Sequence, residues 1–402
     1  MSNNIDQIYE KFGSNICLFP FTAGFYSLEV QTKPIIMPCS STKVIDWEVQ
    51  DSSILKTMNN NQWKTLRKTF INGSCHDTDI CKTCSLAEQN NGDSPRKLNN
   101  QYFAEHLNAN IIAQVENIIS NNYEISQILS MDYCPSNYCN YECIMCFPGA
   151  SSKRKTFELK IAGLKPNKKI THSVDQDFYD LLNQVEILNL TGGETLLQKQ
   201  VHEVIDYLIT QDLAKNITIS LLTNASKYPT NLINKFKKFK NVFYTLSIDG
   251  IGEVIEYQRR GAVWQEVEAT AIRLYKEFGC IVNYVLTAVN VFSFVEFVDW
   301  LEKNNIDKVS ISLVYARNRN ISITVIPTDI KNELIHKLSM AKHKYTNAYY
   351  RDLIDQMLEI LVNVQHDSTL IPQFKHAISI EDSVSKKPLR DIVPELRCIL
   401  ND

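Results

Sequence analysis

The sequence predicts an α/β fold built around a partial (β/α)6 TIM-like barrel. Between about residue 124 and residue 314, short apolar segments rich in β-branched residues alternate with amphipathic helical segments. Strands that recur with a helix between them indicate right-handed βαβ units and a parallel sheet. Polar residues follow several of the predicted strands, as they do at the functional rim of such barrels. These observations favour a partial barrel over an open doubly wound sheet.

Six strands and four intervening helices are predicted in this region. The strands are assigned to short apolar runs at residues 128–133, 185–190, 217–222, 242–248, 281–286 and 309–314. The helices are assigned to periodic segments at residues 199–211, 231–238, 263–278 and 293–303. The first two strands are far apart in the chain, so we expect residues 161–175 to form an excursion.

The remaining residues predict three further parts around a barrel at 125–320. Residues 1–95 show little periodicity and five scattered cysteines, which predicts a small domain held together by a metal. Residues 96–124 are predicted as a linker and a connecting helix, because 90–100 are rich in Asn, Gly, Asp and Pro. Residues 321–402 are predicted as a helical C-terminal extension that ends in a polar tail.

The composition is that of a globular protein without general affinity for nucleic acid. The 402 residues are 44% apolar and 22% charged, and the formal net charge is −3. No segment predicts a membrane span and the N-terminus lacks a signal pattern, so we expect a cytoplasmic protein. In that reducing compartment, eleven cysteines favour metal ligation over disulfides.

Three cysteines within eight residues form the most informative motif. Cys139, Cys143 and Cys146 follow the first predicted strand with the spacing C-x3-C-x2-C. Three thiolates can hold three irons of a cubane cluster and leave the fourth iron without a protein ligand. An open metal position suggests chemistry, because a cofactor or substrate can bind there. For the motif alone, a zinc knuckle and chance spacing are the alternatives.

Polar groups follow three later strands. Two glycines at a strand end allow close approach of a ligand, and a Glu can accept hydrogen bonds from an ammonium group. A Ser and an Asp can bind ribose hydroxyls, and an Arg can hold a carboxylate. The segments concerned are Gly192-Gly193-Glu194, Thr223-Asn224-Ala225, Ser247-Ile248-Asp249-Gly250 and Arg259-Arg260-Gly261. Ordinary loop chemistry explains any one of them, but not all of them at successive strand ends of one barrel.

Together these motifs resemble the radical S-adenosylmethionine (SAM) superfamily across roughly residues 125–315. The resemblance implies that the catalytic trio Cys139, Cys143 and Cys146 binds a [4Fe–4S] cluster, whose unique iron is chelated by SAM. It also implies which residues contact SAM. Gly193 and Glu194, beside Gly192, would contact its amino group, and Ser247 and Asp249 would contact its ribose. Arg260 would bind its carboxylate, with Arg259 as the competing candidate. Met145 stands where an aromatic residue often sits, and its thioether can cover the adenine.

The N-terminal cysteines resemble the auxiliary-cluster module called SPASM, in its shorter twitch form. The resemblance implies a second iron–sulfur cluster on Cys17, Cys39, Cys81 and Cys84, with zinc as the alternative metal. This module normally follows the barrel, but here it precedes it. Lys33-Pro34 replaces the glycine usual before the second cysteine, and Cys75 is an extra thiol that could substitute for Cys81.

The resemblance implies an enzyme that reductively cleaves SAM to a 5′-deoxyadenosyl radical. The radical would abstract a hydrogen atom from a peptide or protein substrate, and the auxiliary cluster would assist electron transfer. An electron donor such as flavodoxin or ferredoxin is expected, with no nucleic-acid or membrane partner. The alternative is a non-catalytic iron–sulfur or zinc-binding scaffold or sensor on a similar barrel. A cysteine-rich nucleic-acid binder would need a basic surface that the charge balance does not supply.

Overall fold

The computed structural model describes residues 5–28, 34–40, 48–50, 53–73, 79–89, 94–165, 174–314 and 320–401. In these residues, eight strands have the sheet order β2-β1-β3-β4-β5-β6-β7-β8. Their bounds are β1 Ala23–Ser27, β2 Ile35–Met37, β3 Ser130–Cys134, β4 Ile187–Leu190, β5 Thr218–Thr223, β6 Asn241–Ser247, β7 Ile281–Leu286 and β8 Val309–Leu313. β1 pairs antiparallel with β2 and parallel with β3. The predicted α/β class, with a parallel sheet that is open as in a partial barrel, is confirmed.

Several helices of the described residues are amphipathic, with buried apolar positions on one side. Their bounds are α1 Ile5–Phe12, α2 Phe19–Thr22, α3 Ile54–Met58, α4 Asn61–Ile71, α5 Lys82–Gln89, α6 Pro95–His106, α7 Ile111–Ser120, α8 Ser152–Ile161, α9 Gln176–Leu182, α10 Lys199–Thr210, α11 Thr230–Phe236, α12 Gly252–Gln258, α13 Trp264–Phe278, α14 Phe294–Lys303, α15 Thr328–Lys342, α16 Ala348–Asn363, α17 Ile371–Asp382, α18 Leu389–Ile392 and α19 Arg397–Leu400. Within this part of the chain, no helix is long and apolar enough to cross a membrane.

The chain divides into two compact units. The first unit comprises Met1–Asn137, Pro166–Leu221 and Thr230–Val242, and the second comprises Tyr138–Lys165, Leu222–Pro229 and Phe243–Asp402. The first unit therefore contains the N-terminal cysteines and strands β1 to β4. The second contains the three-cysteine motif, strands β7 and β8, and the C-terminal helices.

The core of the first unit joins the N-terminal segment to the sheet. On β1 and β3, the rings of Tyr26 and Tyr133 lie 4.9 and 4.8 Å from the ring of Phe178 on α9. All three side chains are fully buried. Arg67 on α4 is also buried, and its guanidinium donates to the carbonyl oxygens of Pro20 and Tyr123. The N-terminal segment thus adds two strands to the sheet, which its weak periodicity did not indicate.

In the second unit, an aromatic cluster supports β7. The ring of Tyr284 lies 4.6 Å from Phe297 and 5.4 Å from Phe294, both on α14. Tyr284 also donates its hydroxyl hydrogen to the carbonyl of Asn290. Since these groups are buried, they fix the strand end beside which the candidate site is built.

One prediction about an irregular segment is wrong. Helix α6 begins at Pro95, where a linker is predicted; Ser94 caps it by accepting from the Lys97 N–H, and Pro fits the first helical turn. The predicted helical C-terminal extension is confirmed, and its polar last part is helical as well, because Phe374, Ile378 and Leu396 provide buried anchors among its polar residues. Residues 90–93 and 166–173, parts of the predicted linker and excursion, lie outside the described residues.

Candidate functional site

The three-cysteine motif lies in a loop between β3 and α8, residues 139–146, here called the cysteine loop. Cys139 and Cys143 are buried, and Cys146 is half-buried. The Ser151 hydroxyl donates to the Tyr141 carbonyl at 2.9 Å and also caps α8 by accepting from the Arg154 N–H. The beginning of α8 therefore holds the loop from one side.

Residues 258–261 hold the cysteine loop from another side. The Glu142 N–H donates to the Arg260 carbonyl at 2.9 Å, and the Ile144 N–H donates to the Gln258 carbonyl at 3.0 Å. Gly261 has a φ of +101°, and a Cβ there would lie 3.2 Å from the Asn140 carbonyl oxygen. This close approach of two backbones explains why a glycine follows the arginines.

Arg259 lies between these two backbone contacts, with its side chain toward the cysteines. Its Nε and Nη2 contact Asp249 Oδ2 at 2.6 and 2.5 Å, and its Nη1 lies 3.9 Å from Cys143 Sγ. The other Asp249 oxygen accepts from the Val285 N–H at 2.8 Å. Burial opposes the charge of Arg259, but attraction by Asp249 and Cys143 raises the pKa of the guanidinium above its ordinary value.

The cysteine thiols are electrostatically coupled. Burial raises the pKa of Cys143, Arg259 opposes this increase, and Cys146 and Cys139 add to it. Burial likewise raises the pKa of Cys146. Buried thiols that resist ionisation release their protons when they bind a metal cation, because the cation then supplies the missing positive charge. This donor set fits the cluster that the sequence predicts.

Arg260 has different partners from Arg259. Its Nε and Nη2 contact Glu142 Oε2 at 2.9 and 2.8 Å, and its Nη1 contacts Glu381 Oε2 at 2.7 Å. Its guanidinium also lies 4.0 Å from the centre of the Phe157 ring. The two neighbouring arginines thus serve two different sets of contacts.

Asn224, which follows β5, also approaches the cysteine loop. Its amide nitrogen donates to Asn140 Oδ1 at 3.0 Å and lies 4.0 Å from Cys139 Sγ. Its amide oxygen accepts from the Ser226 N–H, and Ala225 has a φ of +53°. This tight turn orients the Asn224 amide toward the loop.

In the first unit, the predicted glycines occupy a tight strand end. Gly192 has a φ of +119°, and a Cβ there would lie 2.5 Å from the Ser136 carbonyl oxygen. The Gly193 N–H donates to that same oxygen at 3.0 Å. Glu194 is buried, and its Oε1 accepts from the Leu196 N–H at 3.2 Å. A larger residue at 192 would displace this turn.

The four predicted N-terminal cysteines line one cavity of the first unit. Cys17, Cys39, Cys81 and Cys84 surround it with apolar neighbours that include Leu66 and Phe70. Burial raises the pKa of Cys17 well above its ordinary value, and Cys39, Cys81 and Cys84 add to this effect. Residues scattered over 68 positions therefore come within electrostatic range of one another. Cys75 lies outside the described residues.

No three His, Cys, Asp or Glu side chains among the described residues are placed to hold a single metal ion. This applies to both cysteine groups. In a cubane each thiolate binds a different iron, so the sulfur atoms need not converge on one point. The zinc alternative for the N-terminal group stays untested.

Sequence reasoning missed a polar row across three strands of the first unit. Asp132, Asn189 and Ser220 lie in register on β3, β4 and β5, and Asn189 donates to Asp132 Oδ1 at 2.6 Å. Burial raises the pKa of Asp132 to about 6, although Asn189 lowers it. The signal was present in the sequence, because each strand has one polar residue between two buried apolar ones.

A known protein family matches the region that contains the cysteine loop and the polar strand ends. Residues 133–302 match the family model described as the Radical SAM superfamily. This stretch, less than half of the chain, is therefore similar to radical SAM domains. This match supports the prediction of an enzyme. Comparison with curated proteins gave no match.

Three of the solved structures that the chain matches show low similarity to it. Native anSMEcpe with bound AdoMet is 18% identical, with a TM-score of 0.40 over 54% of this chain and 60% of its own. SuiB of Streptococcus suis bound to S-adenosylmethionine is 15% identical, with a TM-score of 0.40 over 80% and 69% of the two chains. SuiB bound to precursor peptide SuiA is 16% identical, with a TM-score of 0.39 over 90% and 75%. The match thus spans 60% of the length of anSMEcpe.

Proposed function

We propose that this chain is a radical SAM enzyme that abstracts a hydrogen atom from a peptide or protein substrate. When bound, the reduced [4Fe–4S] cluster and SAM would together supply the 5′-deoxyadenosyl radical. The observation that carries the proposal is the cysteine loop, with three coupled thiols and a charged Arg259 beside Cys143.

In this proposal, Cys139, Cys143 and Cys146 hold three irons of the cluster. The backbone bonds of Glu142 and Ile144 to residues 258–260 fix the shape of the loop. Asn224 and Arg259 lie near two of the sulfur atoms, where hydrogen bonds and charge tune a cluster.

We assign the SAM carboxylate to Arg259 in preference to Arg260. Nη1 of Arg259 lies on the side of Cys143, whereas Arg260 is engaged by Glu142 and Glu381. Asp249 has one oxygen on Arg259 and the other on the Val285 N–H. We therefore propose that Asp249 orients Arg259, in place of the ribose contact that the resemblance implies.

The remaining SAM contacts follow the resemblance. Gly192, Gly193 and Glu194 would receive the amino group, Ser247 the ribose and Met145 the adenine. Two features support the first assignment: the crowded backbone at Gly192, where a Cβ would not fit, and the buried carboxylate of Glu194. Ser247 ends β6 in register with Asn283 of β7, which supports a polar contact at that strand end.

We further propose that Cys17, Cys39, Cys81 and Cys84 hold an auxiliary iron–sulfur cluster. The cavity that all four line supports this assignment. The auxiliary cluster would accept or pass an electron during substrate oxidation, and a small protein such as flavodoxin or ferredoxin would be the external donor. The peptide or protein substrate comes from the superfamily resemblance.

The test is production of 5′-deoxyadenosine by anaerobically reconstituted protein with dithionite and SAM. Wild type should form it, and Cys143→Ala should not, because one iron then lacks its thiolate. Cys280→Ala is the matched control, since Cys280 is a buried thiol away from the cysteine loop in sequence. Absence of product from all three proteins would favour the non-catalytic scaffold.

A further inference from the structure

Glu381 on α17, in the C-terminal extension, joins the elements that flank the cysteine loop. Its Oε1 contacts Arg154 Nη1 on α8 at 2.6 Å, and its Oε2 contacts Arg260 Nη1 at 2.7 Å. The Glu381 side chain is only 6% exposed. One buried carboxylate therefore binds two arginines from segments about a hundred residues apart in the chain.

The two arginines also share an aromatic contact. The guanidinium carbons of Arg154 and Arg260 lie 5.2 and 4.0 Å from the centre of the Phe157 ring. A guanidinium over an aromatic face is attracted by the ring quadrupole, but the ring does not neutralise the charge. Glu381 supplies a negative charge to both groups at once.

Arg260 connects Glu381 to the cysteine loop. Its guanidinium binds the Glu142 carboxylate and its carbonyl accepts from the Glu142 N–H. Glu142 lies between Cys139 and Cys143, so holding it constrains the backbone that joins these two cysteines. A second contact supports the same segment, because Tyr257 donates its hydroxyl hydrogen to Asp382 at 2.8 Å.

We propose that Glu381 is a positioning residue for the cysteine loop and that α17 is required for stable cluster binding. The proposal rests on the proposed function, since it assumes that the loop holds the cluster. Without the Glu381 charge, Arg154 keeps only Glu158 and Arg260 keeps only Glu142, so the guanidinium of Arg260 is held from one side instead of two. The C-terminal extension would thereby act on the cluster without touching it.

The experiment compares iron retention in wild type, Glu381→Gln, Glu253→Gln and the Cys139/Cys143/Cys146 triple Ala variant. Each protein is titrated with a ferrous-iron chelator. The iron bound by the cysteine loop is the iron content of each protein minus that of the triple variant at the same chelator concentration. For Glu381→Gln, the chelator concentration that removes half of this iron should fall ~10-fold. This is the lower end of the loss in metal affinity that follows removal of a group supporting a metal ligand. Glu253→Gln is the control, because it removes an exposed ion pair between α12 and Lys387.

The electron paramagnetic resonance (EPR) spectrum separates positioning from folding. In the fraction that keeps its cluster, Glu381→Gln should change the g-values of the reduced cluster. A purely structural role would lower the melting temperature of metal-free protein and leave that spectrum unchanged. Wild-type iron retention with a wild-type spectrum would overturn the positioning role alone. Equal iron in wild type and the triple variant would show that the proposed function itself is wrong.

Discussion

Arg259 and Arg260 are adjacent in the chain, but their side chains have different surroundings. The carbonyl oxygens of residues 258 and 260 accept hydrogen bonds from the cysteine loop, and the Arg259 side chain between them has a different partner from that of Arg260. Arg259 is consequently held by Asp249 beside Cys143, and Arg260 lies between Glu142 and Glu381. A difference of one position therefore separates a proposed SAM ligand from a residue that supports the loop.

We expect Arg259→Gln to weaken SAM binding roughly 10- to 150-fold. Loss of a hydrogen bond to a charged group costs ~1.5–3 kcal/mol, which corresponds to that range of affinity. The measurement is a SAM titration of cluster-loaded protein followed by EPR. Arg260→Gln is the control, and its loaded fraction should bind SAM nearly as wild type does. If Arg260→Gln weakened SAM binding and Arg259→Gln did not, the SAM carboxylate would be assigned to Arg260.

Asp132 should make stability depend on pH in an unusual direction. Burial raises its pKa from 3.8 to about 6, so the folded protein retains a proton that the unfolded chain has lost. The stabilising effect of protonation is present below about pH 3.8 and is lost as the pH rises to about 6. We expect Asp132→Asn and wild type to be similarly stable near pH 4, and the variant to gain up to ~3 kcal/mol by pH 7.

Urea unfolding of the metal-free protein at several pH values measures this difference. The other carboxylates contribute equally to the pH dependence of stability in both proteins, so their effect cancels in the difference. Asn at 132 can still accept the hydrogen bond from Asn189, so the row across the strands is preserved. A stability difference that stays constant between pH 4 and pH 7 would mean that the pKa of Asp132 is not raised.

At the scale of elements, the two cysteine groups are built in different ways. The cysteine loop is a short segment whose spacing is visible in the sequence, and its support comes from α8 and residues 258–261. The N-terminal group gathers Cys17, Cys39, Cys81 and Cys84 from separate elements around one cavity of the first unit. Because the supporting elements differ, loss of one group should leave the other intact.

We expect the Cys139/Cys143/Cys146 triple Ala variant and a Cys17/Cys39/Cys81/Cys84 quadruple Ala variant each to keep about half of the wild-type iron, if both clusters are cubanes. Iron and zinc analysis after anaerobic reconstitution measures this. Cys398→Ala, at an exposed position, is the control and should keep all the iron. Zinc in the triple variant would remove the auxiliary redox role without affecting the SAM site.

On the scale of the whole molecule, periodicity located the parallel strands well. The six predicted strands and the helices between them agree with the structure to within about two residues. Such segments are recognisable because a buried parallel strand is apolar along its length and its helix repeats with the helical period. The short strands β1 and β2 have no such pattern, and they form because the sheet offers them backbone partners.

The C-terminal extension shows what local patterns miss. Its last residues look polar, but a few apolar positions are buried, and Glu381 is among the buried residues. A glutamate in a polar segment gives no sign that two arginines from distant parts of the chain will meet it. Only packing brings the three charges together. Burial of a charge away from water is unfavourable, and the opposite charges of its partners compensate for this cost.

The sequence by itself determined the class of fold and predicted the chemistry of the cysteine loop. Strand periodicity and the spacing of Cys139, Cys143 and Cys146 are local properties, and they can be read without knowing which segments meet. The tertiary structure alone decided which arginine faces Cys143, what Asp249 and Glu381 bind, and that four scattered cysteines share a cavity. These depend on contacts between residues far apart in the chain, whose geometry is fixed only when the elements pack.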